Sequence, residues 1–153
     1  MSLTTKNIGT LEYLTAEGIS VPHCFTTRLG GVSTGYLSSL NIGMHRGDAA
    51  ENVAKNHEIL AAALEYDAKN IVMAHQVHSD VVRVVTRQDC LGLDHHLYPE
   101  SDGMVTNEPG LALVVFTADC TPILLHDPIT GAVGAVHAGW RGTAMDIAGK
   151  AVQ

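Results

Sequence analysis

Apolar and polar positions alternate over short stretches of this chain, a pattern typical of β-strands. LEYLT (residues 11–15) and PHCFTT (22–27) are predicted strands near the N-terminus. The run GLALVVFTA (110–118) is continuously apolar and rich in β-branched residues, which predicts a strand buried on both faces. Further strands are predicted at 70–78, 79–86, 102–107, 121–127 and 131–138.

Only two segments show helical patterning. Residues 51–66 carry apolar side chains along one helical face, and Asp48 followed by Glu51 predicts a capping box at its start. A second helix is predicted near the end of the chain, capped by Thr143 and with Asp146 in its first turn. Because strands outnumber helices and tight turns join several of them, we expect an α+β fold with an antiparallel or mixed sheet.

Composition narrows the classes of function. The 153 residues suit a single domain, 1–153, and 46% hydrophobic content can build a core. A net charge of −7 argues against a nucleic-acid partner or an anionic membrane surface, which both need clustered cations. No apolar run approaches the roughly 20 residues of a membrane span, and no signal-peptide pattern opens the chain. We therefore expect a cytoplasmic protein without a membrane partner.

Two further features concern the cysteines and the C-terminus. Cys24, Cys90 and Cys120 make an odd count, which does not suit a disulfide framework, so each thiol is available for packing, catalysis or metal binding. The chain ends at DIAGKAVQ, inside a predicted helix and without a stop signal. This ending predicts an N-terminal fragment of a longer domain.

The candidate chemistry lies where apolar runs turn polar. Cys120 follows the 110–118 run, and His78 and His137 also stand at predicted strand boundaries. Each residue alone fits a core or structural role, but two histidines and one cysteine are also a ligand set of catalytic zinc. His75 is a rival ligand, although a strand would point it and His78 to opposite faces. Asp119 could orient a ligand histidine or cap a turn.

Cationic and polar residues beside glycine-rich turns suggest an anion site. Arg141, in AGWRG, precedes the predicted C-terminal helix, and Arg28 precedes the glycines of RLGGVS. The alternative is that Trp140 packs into the core and Arg141 is solvated. Asn41 could bind a ligand or stabilise its own turn.

The other histidines carry no predicted role. His57 is expected on the exposed side of its helix, and His95 and His96 in a solvated loop.

Six motifs, taken in order, resemble the YfiH-like laccase-domain family. They are RLGGVS, LNIGMHRGD, HQVHSD, SDGMVT, TADCTPILL and HAGWRGT. Members of this family have been described as multicopper polyphenol oxidases and as purine nucleoside phosphorylases. They run to about 250 residues, near the upper end of the usual range for one domain, which agrees with a fragment here.

The resemblance implies a fold, a cofactor and a reaction. The fold would be a sandwich of β-sheets flanked by helices, similar to the catalytic domain of cytotoxic-necrotizing-factor toxins. His78, Cys120 and His137 match the family's zinc ligands, and Arg28 and Arg141 match arginines near an anion pocket. The implied activity is phosphorolysis of adenosine, inosine or methylthioadenosine, together with deamination of adenosine.

Two other functions use the same residues. A metal-free cysteine hydrolase or deamidase would use Cys120 as the nucleophile and His137 as its base, which the toxin resemblance supports. A copper polyphenol oxidase would need paired HxH motifs, and the sequence contains none. We therefore rank the zinc enzyme first and the copper oxidase last.

Overall fold

The computed structural model describes residues 2–153, which form two compact units, residues 2–68 and Lys69–Gln153. Both combine short strands with few helices, so the expected α+β class with a mixed sheet is confirmed. The predicted sandwich arrangement stays a prediction. Among residues 2–153, no helix has both the length and the apolar character needed to cross a bilayer.

The first unit is an antiparallel sheet with one long helix. Its strands follow the order β1-β2-β3 and its helix is α1. Their bounds are Leu3–Ile8 (β1), Leu11–Ala16 (β2), Phe25–Thr26 (β3) and Ala50–Leu64 (α1). The core of the unit is formed by Leu11, Tyr13, Leu40 and Leu60. The strand predicted at 22–27 is therefore real but shorter.

Two details of α1 correct the sequence-based expectations. The helix starts at Ala50 after Ala49, which makes no side-chain cap, so the capping box predicted at Asp48 is wrong. The Asp48 carboxylate instead accepts hydrogen bonds from side chains of the preceding loop and of Asn52, which compete for it. His57 is buried, only 1% exposed, and not on the exposed face.

The second unit holds two sheets. A two-stranded parallel sheet joins β4 to β7, and a four-stranded mixed sheet has the order β5-β6-β9-β8. In the larger sheet, β5 and β6 run parallel, and β9 runs antiparallel to both β6 and β8. The bounds are Ile71–Met73 (β4), Val82–Val84 (β5), Gly103–Thr106 (β6), Ala112–Val114 (β7), Thr121–His126 (β8) and Val133–Ala138 (β9).

Long apolar runs give shorter strands in this unit than the pattern predicts. The run at 110–118 forms only three strand residues, and they are half-buried, so full burial on both faces is wrong. A two-stranded sheet has few neighbours to cover its faces, which explains this exposure. The segments 70–78 and 79–86 likewise contract to β4 and β5, and His78 lies in the loop between them.

The C-terminal segment forms two short helices, α2 (Trp140–Ala144) and α3 (Ile147–Ala151). Gly139 precedes α2, so Thr143 lies inside a helix and the cap predicted for it is wrong. Asp146 takes a left-handed conformation between the helices, and its carboxylate accepts from the Gly149 N–H at 3.2 Å. Ile147 packs with Val136 and Ala138 of β9, which fixes the helices on the sheet.

Candidate metal centre

His78 lies in the loop between β4 and β5 and not at the end of a strand, where the sequence placed it. Its backbone is left-handed (φ 61°), an unusual conformation for a residue with a side chain. The N–H groups of Val77, His78 and Ser79 converge on the carboxylate of Asp102, at 3.2, 3.0 and 2.6 Å. Successive N–H groups of this kind form a concavity that binds anions, which here is filled by a side chain of the same unit.

Asp102 connects this loop to His137. It stands just before β6 and is fully buried, and it also accepts from the Ser79 hydroxyl at 2.7 Å. The Nδ1–H of His137 donates to its Oδ1 at 2.8 Å. Burial alone would raise the pKa of the Asp102 carboxyl, but the hydrogen bonds from His137, Ser79 and Val77 outweigh it and lower this pKa. Asp102 is therefore ionised at neutral pH.

The orientation of His137 follows from that contact. Because Nδ1–H is directed at Asp102, the lone pair of Nε2 is left to face the other side of the ring. A carboxylate that fixes the tautomer of a ligand histidine is a recurring arrangement in metalloproteins. His137 lies on β9 and is 4% exposed, so its position is rigid.

Cys120 completes the group at the start of β8. Its Sγ lies 3.8 Å from Nε2 of His78, and the rings of His78 and His137 are 4.9 Å apart and nearly perpendicular. One ligand atom from each of the three residues lies within 4.8 Å of the others. Tetrahedral zinc places neighbouring N and S ligands about 3.5 Å apart, so the residues fit a zinc ion after small side-chain adjustments.

Gly139 lies directly against these three side chains. A Cβ at this position would come within 2.8 Å of the His78 ring and 3.4 Å of the Cys120 sulfur. The φ of Gly139 is −69°, so the need for glycine here is steric and not conformational. His78 is exposed, which leaves one side of the group open to a water or a substrate.

Arg28 and Asn41, the anion-site residues expected in the first unit, are engaged within their own loop. The Arg28 guanidinium donates to the carbonyl oxygen of Ser38 at 2.6 and 2.8 Å. The Asn41 amide donates to Asp48 and Gly43, which is turn chemistry. Their binding of substrate stays a prediction.

Trp140 and Arg141 lie in α2, one and two residues after Gly139. Trp140 is 74% exposed, so it is not a core residue, and the Arg141 guanidinium carbon lies 5.3 Å from the centre of its ring. Both residues follow the glycine that lies against the histidine–cysteine group, and the role of Arg141 in an anion site stays a prediction.

Asp102 is the residue that sequence reasoning missed. The role of orienting a histidine was considered for Asp119, which is exposed, and the structure gives that contact to Asp102. The sequence feature that could have indicated this role is the position of Asp102 directly before a predicted strand, in the motif SDGMVT. A sequence does not show that this acid meets a loop 25 residues away.

Two solved structures share this fold, and a curated relative is similar in sequence. YlmD from Geobacillus stearothermophilus superposes with a TM-score of 0.85 at 36% identity, over 97% of this chain and 57% of that one. YfiH from Bacillus licheniformis gives 0.78 at 38% identity, over 84% and 49%. A "purine nucleoside phosphorylase" of Deinococcus radiodurans is 44% identical over 143 residues, 94% of this chain and 53% of its own length.

The chain spans about half the length of the curated relatives that it matches. The family model described as multi-copper polyphenol oxidoreductase laccase matches residues 22–153, a range that includes the loop of His78, the buried Asp102, Cys120 and the His137–Gly139 segment. On that match and these relatives, the chain belongs to the multi-copper polyphenol oxidoreductase laccase family, in which the YlmD and YfiH proteins are its neighbours.

Proposed function

We propose that this chain forms the metal-binding part of a zinc-dependent purine nucleoside phosphorylase, acting on adenosine, inosine and methylthioadenosine. The observation that carries the proposal is the convergence of His78, Cys120 and His137, with Asp102 behind His137 and one side open. The names of relatives at 38–44% identity supply the substrate class. Zinc is preferred because two imidazoles and one thiolate are a ligand set of catalytic zinc.

The residues of the chain would hold and orient the centre. Cys120 and His78 bind as thiolate and neutral imidazole, and Asp102 keeps a proton on Nδ1 of His137 so that Nε2 can coordinate. A zinc ion held there supplies Lewis acidity beside the substrate. Gly139 keeps the space against the ligands free of a side chain.

Phosphorolysis requires an anion site next to that centre. An oxygen of phosphate forms a bond to C1′ of ribose, the bond from C1′ to the purine nitrogen breaks, and its electron pair leaves with the base, which takes up a proton. Arg141 would position the phosphate, because a guanidinium binds two of its oxygens at once. Arg28 and Asn41 stay predicted substrate contacts, and within their own unit they bind Ser38 and Asp48.

The same centre would deaminate adenosine. One water adds to the purine carbon that bears the amine, and ammonia leaves. We place both activities in the cytoplasm, where Cys24, Cys90 and Cys120 would stay reduced.

Product separation after incubation with a nucleoside tests the proposal. With zinc and phosphate, inosine should give hypoxanthine and ribose 1-phosphate, and without phosphate the base should not be released. Adenosine without phosphate should give inosine. His78→Ala should abolish bound zinc and both products, whereas His126→Ala, a histidine outside the group, should retain them. Full activity of the zinc-free His78→Ala protein would refute the proposal.

A metal-free thiol hydrolase or deamidase is the second candidate, and one contact favours it. Cys120 Sγ lies 3.8 Å from His78 Nε2, within the range of a thiol–imidazole hydrogen bond. This contact pairs Cys120 with His78, whereas the expected base is His137, whose Nδ1–H is held by Asp102 and whose Nε2 keeps its lone pair. The candidate predicts that chelators leave activity intact and that alkylation of Cys120 removes it. Copper oxidase activity predicts oxidation of a phenol with copper bound, which we expect to be absent.

A further inference from the structure

We propose that Gln76 is a positioning residue of the metal centre, whose side-chain amide sets the distance between His78 and Cys120; that these two residues bind metal rests on the proposed function. The Gln76 Nε2 group donates to the carbonyl oxygen of Phe116, and the Phe116 N–H donates to Gln76 Oε1, both at 2.7 Å. His78 follows Gln76 by two residues and Cys120 follows Phe116 by four. One side chain therefore connects the two segments that carry these ligands.

The backbone pairing between these two segments ends before it reaches them. Strands β4 and β7 run parallel, and Ile71–Met73 pair with Ala112–Val114. At the same register, His75 would stand opposite Phe116, but His75 instead forms a parallel bridge with Glu100. The N–H and C=O groups of Phe116 are therefore satisfied by a side chain and not by the neighbouring strand.

A glutamine is chemically suited to this position. Its amide carries an acceptor and a donor in one plane, as a peptide group does, and it brings no charge close to a cation site. A carboxylate could not donate to the Phe116 carbonyl oxygen, and an ammonium group could not accept from the Phe116 N–H. The neutral amide makes both bonds at once.

The glutamine is carried by a rigid part of the chain. The three residues of β4 are at most 1% exposed, and Asp102 accepts hydrogen bonds from the N–H groups of the three residues that follow Gln76. In contrast, residues 117–119, which lead from Phe116 to the cysteine, are exposed. The two hydrogen bonds of the amide therefore attach an exposed segment to a fixed one.

Three links then join the three ligands in pairs. Asp102 joins the loop of His78 to His137, and the pairing of β8 with β9 joins Cys120, directly before β8, to His137 on β9. The Gln76 amide supplies the link between His78 and Cys120, whose Nε2 and Sγ lie 3.8 Å apart. Without the amide, the two histidines should stay in place, and the cysteine should be held from β8 alone.

Titration with CoCl₂, followed by absorption, tests this role. Co²⁺ occupies zinc sites, and a bound thiolate gives it a charge-transfer band that imidazole ligands do not give. Gln76→Met keeps the length of the side chain and removes both hydrogen bonds. It should lower the affinity for Co²⁺ about tenfold, as loss of a group that orients a ligand does. At saturation, the thiolate band per bound ion should lose most of its intensity, which a general loss of stability would not cause.

Two further variants and one measurement without metal complete the test. Gln88→Met, at an exposed glutamine outside the metal centre, is the matched control and should change neither affinity nor spectrum. Gln76→Asn keeps the amide but is one methylene shorter, so it cannot keep both bonds and should give an intermediate effect. In the metal-free protein, hydrogen exchange of the Phe116 N–H should accelerate in both Gln76 variants, because this group loses its acceptor.

The possible outcomes separate the role of Gln76 from the proposed function. An unsubstituted protein that binds no Co²⁺, or binds it without a thiolate band, refutes the metal centre and the role of Gln76 with it. If the unsubstituted protein shows the thiolate band, and Gln76→Met or Gln76→Asn shows the same affinity and the same band, the metal centre stands and the positioning role is overturned. Faster exchange at Phe116 would then assign the amide to stability alone.

Discussion

Replacing Asp102 with asparagine tests the central feature of the metal centre, because this side chain accepts five hydrogen bonds from two segments. Its Oδ1 receives the N–H of His78 and the Nδ1–H of His137, and its Oδ2 receives the N–H groups of Val77 and Ser79 and the Ser79 hydroxyl. Asparagine keeps the shape and one acceptor oxygen, but its NH₂ group faces donors wherever it is placed.

The cost follows from which donors lose a partner. With the NH₂ group at the Oδ2 position, the part-buried N–H groups of Val77 and Ser79 lose their acceptor. A fully buried unpaired donor costs about 1–3 kcal/mol, and water reaches these two in part, so the free energy of unfolding should fall by about 1–3 kcal/mol in total. With the NH₂ group at the Oδ1 position, His137 must move its proton to Nε2 and loses the lone pair that binds metal.

Two measurements follow this change. Zinc affinity, from competition with a chromophoric chelator, should fall about 10- to 100-fold, the usual effect of removing the partner of a ligand histidine. Amide hydrogen exchange at residues 77–79 should accelerate, since their N–H groups lose the carboxylate. Asp119→Asn, at the exposed acid beside Cys120, is the control and should change neither. An Asp102→Asn protein with unchanged zinc affinity and unchanged exchange would show that the carboxylate does not organise this site.

Three other changes have expected outcomes. Gly139→Ala should weaken zinc binding, because its Cβ would lie 2.8 Å from the His78 ring and displace it; chelator competition measures this. Burial raises the pKa of Cys24 to about 11, so at pH 8 about one in a thousand of these thiols is ionised and alkylation should be slow, while zinc should protect Cys120. Hydrogen bonds from its neighbours lower the pKa of Asp48 from 3.8 to about 2, so its stabilisation is complete above pH 4 and is lost towards pH 2. In Asp48→Asn, stability should therefore fall less steeply as the pH decreases from 4 to 2, which acid unfolding monitored by circular dichroism measures.

Each of these changes has a matched control. Gly43→Ala adds the same methyl group where the nearest atom is 3.4 Å away, and it should leave zinc affinity unchanged. Cys90, which is half-buried and outside the metal centre, should be alkylated equally with and without zinc. Asp119→Asn should leave the acid unfolding curve unchanged. Equal effects of Gly139→Ala and Gly43→Ala, zinc protection of Cys90, or an unaltered acid curve in Asp48→Asn would each contradict the corresponding argument.

The predictions that succeeded rest on local pattern. Apolar patterning located α1 within a few residues and β8 and β9 nearly at their bounds. The helix buries one face, and five consecutive residues of β9 are buried, so both segments leave a clear apolar pattern in the sequence. The segments around β4, β5 and β7 were predicted too long. Their apolar residues pack through loops as well as strands, and a run of apolar letters does not distinguish the two.

The errors concern polar contacts between distant segments. Asp48 was expected to cap α1, but its carboxylate accepts a hydrogen bond from Asn41 in the preceding loop. His57 was expected on the exposed side of α1, but it is buried. Thr143 was expected to cap a helix that starts three residues earlier, at Trp140. The Asp48 carboxylate has several donors within reach, and only the packing of the surrounding chain decides between them.

By itself, the sequence determined the α+β class, the candidate residues of a metal centre and the resemblance that implies their chemistry. It named His78, Cys120 and His137, because a thiol and two imidazoles at polar ends of apolar runs are chemically recognisable. Only the tertiary structure decided what organises them. Asp102 acts through hydrogen bonds to residues 23–35 positions away, and Gly139 through the space that it leaves empty. Neither a distant contact nor an absent side chain has a local sequence pattern, because both exist only once the strands are paired and the loop is folded.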